Sequence, residues 1–294
     1  MARIGWLSSN FVNSASNLIF SLFLPVLIFN AILKMDVKND MDWSIVLYAW
    51  GFSVVSFVLA WALAGSKWLS HEQAQDKGVF VQGAFRSNLG IIGIALCINS
   101  YGDSGLGQAA LLLAMVTPLF NILSVVVLGH YQASGEGINV KRLAITVAKN
   151  PLIISIAIAL PLSYLELSLP DLLSKPVESI SDMTLPLALL CIGGSLDISV
   201  LKKSSRLSVI STALKLILFP ALAAIGAILV GFEAMTVGII FLMFASPTAA
   251  ASFVMAKAMK GNGVMAANII ALTTVFAAFS VSLGLFLLKS YGFA

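Results

Sequence analysis

The chain has 294 residues, of which 59% are hydrophobic and 10% charged, and its mean hydropathy is +1.00. A soluble domain of this size has no use for so much apolar surface, so the solvent for most of the chain is lipid. The formal charge of +4 comes from Lys and Arg scattered over connections, which excludes a nucleic-acid surface. Cys97 and Cys191 lie within apolar runs, and His71 and His130 stand alone in connections. These four residues indicate neither a disulfide framework, nor a metal site, nor a cofactor.

Nine apolar runs divide the sequence, at 12–33, 43–63, 78–98, 108–128, 150–165, 177–196, 207–230, 234–258 and 264–288. A helix needs about 20 residues to cross a bilayer, and these runs are continuous in Leu, Ile and Ala instead of alternating as barrel strands do. The expected class is an all-α polytopic membrane protein of nine spans. With the amino terminus in the cytoplasm, that side holds Arg3, Lys67, Lys77, Lys141, Arg142, Lys149, Lys202, Lys203, Arg206, Lys257 and Lys260. The other side holds Lys34, Lys38, Lys175 and Lys289. This bias predicts a cytoplasmic amino terminus and an external carboxyl terminus. The first run lacks the short apolar core and cleavage site of a signal peptide.

In chain order, residues 1–11 read as an interfacial lead-in with Trp6 at headgroup level. The first span carries Asn17, Pro25 and Asn30, and Pro25 removes a helical hydrogen bond, which predicts a kink or a packing feature. The second span is uninterrupted. The third contains Arg86-Ser87-Asn88-Leu89-Gly90-Ile91-Ile92-Gly93, with a cation about 12 Å from the start of the run. Backbone loosened at Gly90 and Gly93 has groups that lipid cannot satisfy, so this stretch must face protein or a watery cavity. Snorkelling of Arg86 to the interface is the competing reading, and it explains none of the polar residues that follow. Asn121 in the fourth span is a candidate for the site or for helix-to-helix bonding. A surface helix is expected over 140–148, and the connection 132–149 separates the halves 1–131 and 150–294.

In the second half, Asp182 in the sixth span is a candidate coupling carboxylate or a solvated helix-end residue. Lys215 sits eight residues into the seventh span, Ser246-Pro247-Thr248 interrupts the eighth, and Asn268 lies in the ninth. Pro25 and Pro186 are 161 positions apart, and Ser87 and Pro247 are 160 apart. Partners lie five spans apart, so the halves would run in opposite directions, as in the inverted repeats of secondary transporters. Each interruption begins a new half-helix whose positive amino end points to the membrane centre. With Arg86 and Lys215 these ends favour an anion. Ser87, Asn88, Gly90, Ser246, Pro247 and Thr248 form its predicted binding site, joined by Asn121 and Asn268.

Several segments carry a family resemblance: LFLPVLIF at 22–29, RSNLGIIGIAL at 86–96, KNPL at 149–152, LPLALLCIGGSL at 185–196 and SPTAAASFVMA at 246–256. Together they resemble the auxin efflux carrier family, whose bacterial members are often described as malonate or malate permeases. The resemblance implies two crossed, interrupted helices in an inverted repeat, and an integral protein of the bacterial inner membrane that carries small organic anions. It also implies a scaffold (here runs 12–33, 150–165 and 177–196), a mobile transport domain (43–128 and 207–288) and a homodimer through the scaffold. The coupling ion could be H+ or Na+. The family pattern has ten spans, one more preceding Val12, and Ala95 stands where many relatives have proline. Two alternatives stay open: a sodium-coupled symporter of the bile-acid type, and a membrane sensor that does not transport. No enzymatic constellation is present in the sequence.

Overall fold

The computed structural model describes residues 9–34, 43–69, 72–131, 149, 151–195 and 205–294. The lead-in at 1–8 and the surface helix expected at 140–148 lie outside these residues. The described residues form helices: α1 (Ser9–Leu18), α2 (Leu24–Lys34), α3 (Trp43–Gly65), α4 (Ala74–Phe85), α5 (Ile94–His130), α6 (Pro151–Tyr164), α7 (Asp171–Ser195), α8 (Arg206–Ala213), α9 (Phe219–Val230), α10 (Ala234–Ala245), α11 (Ala251–Ala258) and α12 (Gly263–Ser290). Trp43–Gly65, Leu89–His130, Arg206–Val230 and Gly263–Ser290 are long and apolar enough to cross a membrane. Shorter or interrupted helices cover the other apolar runs.

Among the described residues, three π-helical turns adjoin the helices. Two of them, Ile19–Phe23 and Leu214–Leu218, are followed two residues later by Pro25 and Pro220. Proline cannot donate to the preceding turn and its ring clashes there, and the wider π turn takes up both problems without ending the helix. The kink expected at Pro25 takes this form. The third π turn, Leu89–Gly93, restarts the chain after the break that follows α4.

α5 is 37 residues long, about 55 Å at 1.5 Å per residue and far more than a bilayer needs. It is bent at Gly102, whose φ of 62° and ψ of −147° belong to no helix. A side chain is strained at such angles, so glycine here permits the change of direction between the third and fourth apolar runs.

Two groups of helices pack internally. α1 and α2 pack against α6 and α7, and Thr184 of α7 donates to the Phe23 carbonyl at 3.2 Å. The second group contains α3, α4, α5 and α8 to α12, and it touches the first where α5 meets α2 and α6. At one end of the second group, Asn262 Nδ2 donates to Asp76 Oδ1 at 2.7 Å and ties the α11–α12 connection to α4. Gly261 of that connection lies against Val79.

Replacement of Gly102 by Ala is expected to destabilise the protein by about 1–3 kcal/mol through backbone strain. No neighbouring atom lies within 4 Å of the added methyl group, so crowding adds nothing. A lower midpoint of thermal unfolding in detergent checks this, and an unchanged midpoint would mean that the bend does not depend on glycine.

Candidate functional site

Four half-helices meet at one place. α4 and α10 have 12 residues each, about 18 Å, and so reach roughly halfway through a hydrocarbon layer of about 30 Å. The backbone unwinds after each of them. Arg86 (φ −81°, ψ 104°) and Ser246 (φ −59°, ψ 143°) are extended, and the two extended stretches pair antiparallel through Ser87 and Thr248. Asn88 N donates to the Pro247 carbonyl at 2.7 Å, and Ala249 N to the Arg86 carbonyl at 3.3 Å. Each break therefore satisfies the backbone groups stranded by the other, which lipid could not do.

The first break falls at 86–88, upstream of the glycines expected to open it. Asn88 ends the unwound stretch as a cap: its Oδ1 accepts from Ile91 N at 3.3 Å, and its carbonyl accepts from Gly93 N at 2.9 Å. Gly90 lies within the resulting π turn. Gly93 acts through its lack of a side chain, because a Cβ there would stand 2.9 Å from Met243 Sδ and 3.4 Å from the Asn88 carbonyl.

Hydroxyl groups hold the crossing. Thr248 Oγ1 donates to the Gly83 carbonyl at 2.7 Å, and Ser87 Oγ to the Phe244 carbonyl at 3.3 Å. Thr248 N donates to Thr273 Oγ1 at 3.1 Å, and that hydroxyl donates to the Ile269 carbonyl of its own helix at 2.7 Å. Ser246 Oγ turns back to the Met243 carbonyl at 2.8 Å. Gly83 is as tightly enclosed: a Cβ there would meet Ile269 at 2.9 Å and Ser211 Oγ at 3.0 Å.

Two cations are buried beside this crossing. Arg86 is only 5% exposed, and its guanidinium does not snorkel. Its Nη2 donates to Asn121 Oδ1 at 2.7 Å, and its Nη1 to Ser124 Oγ at 3.0 Å and Met255 Sδ at 2.8 Å. Lys215 is 1% exposed and donates to Ser87 Oγ and to the Phe244 carbonyl, the latter at 2.6 Å. An ammonium group at the carboxyl end of α10 sits where the helix dipole favours positive charge. Neither cation has a carboxylate partner among the described residues; Lys34 pairs with Glu178 elsewhere, between α2 and α7.

The structure thus brings together Arg86, Ser87, Asn88, Gly90, Ser246, Pro247, Thr248, Asn121 and Lys215. Asn121 enters through the Arg86 guanidinium, on the side of α5. Asn268 is buried on α12, five residues before Thr273. Asp182 is exposed on α7, in the other group of helices, and makes no part of the crossing. Ser124, Met255, Gln82 and Ser252 escaped the sequence reading. Ser124 and Ser252 are lone hydroxyls in apolar runs, and Gln82 and Met255 lie one and two turns outside the polar motifs. Helical spacing offered the one available signal, since Gln82 and Ser252 stand four residues from Arg86 and Thr248.

Interrupted helices crossing within an apolar helical protein define a membrane transporter. The chain belongs to the membrane transport protein family of the auxin efflux carrier type, whose family model matches residues 2–285. No curated protein matches the chain.

Replacing Asn121 by Leu leaves one fork of the buried guanidinium without its acceptor and is expected to cost about 1.5–3 kcal/mol. Replacing Lys215 by Met removes an uncompensated buried charge, so thermal stability should hold or rise. Unfolding midpoints of the two purified variants check both, and a large loss in the Lys215 variant would mean that its two hydrogen bonds outweigh its desolvation.

Proposed function

We propose that the chain is a secondary-active carrier of small organic anions, which it binds beside the crossed breaks and moves by alternating access. One observation carries this reading: Arg86 and Lys215 are both buried at the crossing, and no carboxylate among the described residues balances either of them. An ion taken out of water without a partner costs several kcal/mol, and an anion arriving between the half-helices recovers part of that cost. The hydrogen bonds of Ser87, Ser246, Thr248 and Asn121 are committed to the protein, so these residues shape the site. Asn88 is different. It is half-buried, it caps with Oδ1, and no bond of its Nδ2 is made among the described residues, so it has donors to offer a carboxylate. The adjoining amino ends of the π turn and of α11 add oriented N–H groups.

The inverted repeat belongs to the same proposal. Ser87 pairs with Thr248, and Phe23 with Thr184, each at a separation of 161 positions. Contacts between equivalent positions at one constant offset are what an axis passing between two inverted halves would produce. We further take α1, α2, α6 and α7 as the scaffold and the remaining helices as the moving part. The excess of Lys and Arg on one side supports a cytoplasmic amino terminus in a bacterial inner membrane.

Counterflow of a radiolabelled carboxylate into proteoliposomes tests the reading. Asn88→Ala is expected to reduce exchange by about tenfold or more, since a lost hydrogen bond to a charged group is worth 1.4 kcal/mol or above. Lys215→Met should do the same while remaining folded. Full exchange in both variants would overturn the site, and the absence of exchange by the native protein with any mono- or dicarboxylate would overturn the carrier.

A further inference from the structure

The hydroxyls at the crossing are arranged in a symmetric way, but their cation is not. Ser87 Oγ bonds the Phe244 carbonyl and Thr248 Oγ1 bonds the Gly83 carbonyl. Thr248 follows Ser87 by 161 positions, and Phe244 follows Gly83 by the same 161. On the first pair of oxygens sits the Lys215 ammonium, which donates to both. No lysine reaches the second pair among the described residues. In its place is a crevice between α4, α11 and α12, lined by Thr248 and Gly83 with Gln82, Ser252, Val79 and Ile269. Gln82 is 0% exposed and Ser252 is 2% exposed, and among the described residues Gln82 Oε1 and Ser252 Oγ have no hydrogen-bond partner.

Buried polar atoms without partners are costly, and two of them on one crevice need an explanation. The crevice as packed is narrow on the scale of a water molecule, so a small ion suits it better than a hydrated one. Together with Thr248 Oγ1 and the Gly83 carbonyl, these atoms make four oxygens and no nitrogen donor. Gln82 Nε2 points away, towards Met255 Sδ at 3.9 Å. A set composed of neutral oxygens suits a small, hard, singly charged cation, since a divalent ion needs carboxylates to offset its dehydration. The Gly83 carbonyl also belongs to the last turn of α4, the negative end of that half-helix.

We propose that this crevice binds a sodium ion through Gln82 Oε1, Ser252 Oγ, Thr248 Oγ1 and the Gly83 carbonyl, in the place that a lysine ammonium takes in the other half of the crossing. Among the described side chains, the two buried cations of the crossing face elsewhere: the Arg86 guanidinium is turned to Asn121 and Ser124 of α5, with Met255 Sδ between it and Gln82, and Lys215 lies on the Ser87 side. Their repulsion limits affinity to that of a weak site. Sodium binding at this place does not require that the protein carry carboxylates, so it stands or falls apart from the carrier reading.

The experiment is thermal unfolding of the purified full chain in detergent, in sodium chloride, potassium chloride and choline chloride at equal ionic strength, together with retention of radiolabelled sodium. Saturating sodium should raise the midpoint by about 2–4 °C over choline, with a smaller effect of potassium. Ser252→Ala and Gln82→Leu should each abolish the sodium-specific rise and the retained label, while their midpoints in choline stay near the native value. Ser252→Ala is the smaller change and gives the answer if Gln82→Leu does not fold. Equal midpoints in sodium and choline with no retained label, or a rise that persists in Ser252→Ala, would overturn the site.

Discussion

The backbone pairing between Ser87 and Thr248 is the constraint on which the rest of the crossing depends. Two helices that stop inside an apolar bundle expose carbonyls and amides that apolar surroundings cannot satisfy, and each such group costs several kcal/mol if left alone. Neither interruption could persist by itself. Their antiparallel contact answers the problem with two main-chain bonds, and the hydroxyls of Ser87, Thr248 and Thr273 serve the carbonyls and the amide just beyond. Tight approach follows as a requirement, which explains why glycine occupies positions 83 and 93, where any Cβ would collide.

Charge enters as the second layer. Once the backbone is satisfied by neutral groups, Arg86 and Lys215 are left with neutral acceptors: an amide, hydroxyls, a thioether and a carbonyl. Such a centre is stable because every donor named has a partner, yet it is electrostatically incomplete because no negative charge faces it among the described residues. Membership of a transporter family and an electropositive centre at mid-depth support one another without either implying the other.

Much of this was readable in the sequence. Cations, prolines and glycines inside runs of Leu and Ile are costly in lipid, so RSNLG and SPT stand out against their surroundings, and the structure crosses the chain at those two places. The position of the break was harder to read. Glycines suggested that it opens at 90 and 93, but a helix stops where a side chain can cap the next one, and Asn88 does that for Ile91. The direction of side chains was beyond reach. That the Arg86 guanidinium turns towards α5 depends on Asn121 and Ser124, which lie 35 and 38 residues away. Gln82 and Ser252 looked ordinary for the same reason: an unpaired oxygen becomes visible only when its neighbours are known.

The clasp between Asn262 and Asp76 bears on how such a molecule can change shape. It fastens the outer ends of α4 and of the α11–α12 connection, while the crossing fastens their inner ends, so these half-helices are riveted at two points and cannot splay apart like jaws. In the carrier proposed above, displacement would instead be concentrated at the narrower seam, where α5 meets α2 and α6. A body braced in this way would slide as a block, and the floor of its pocket would travel with it.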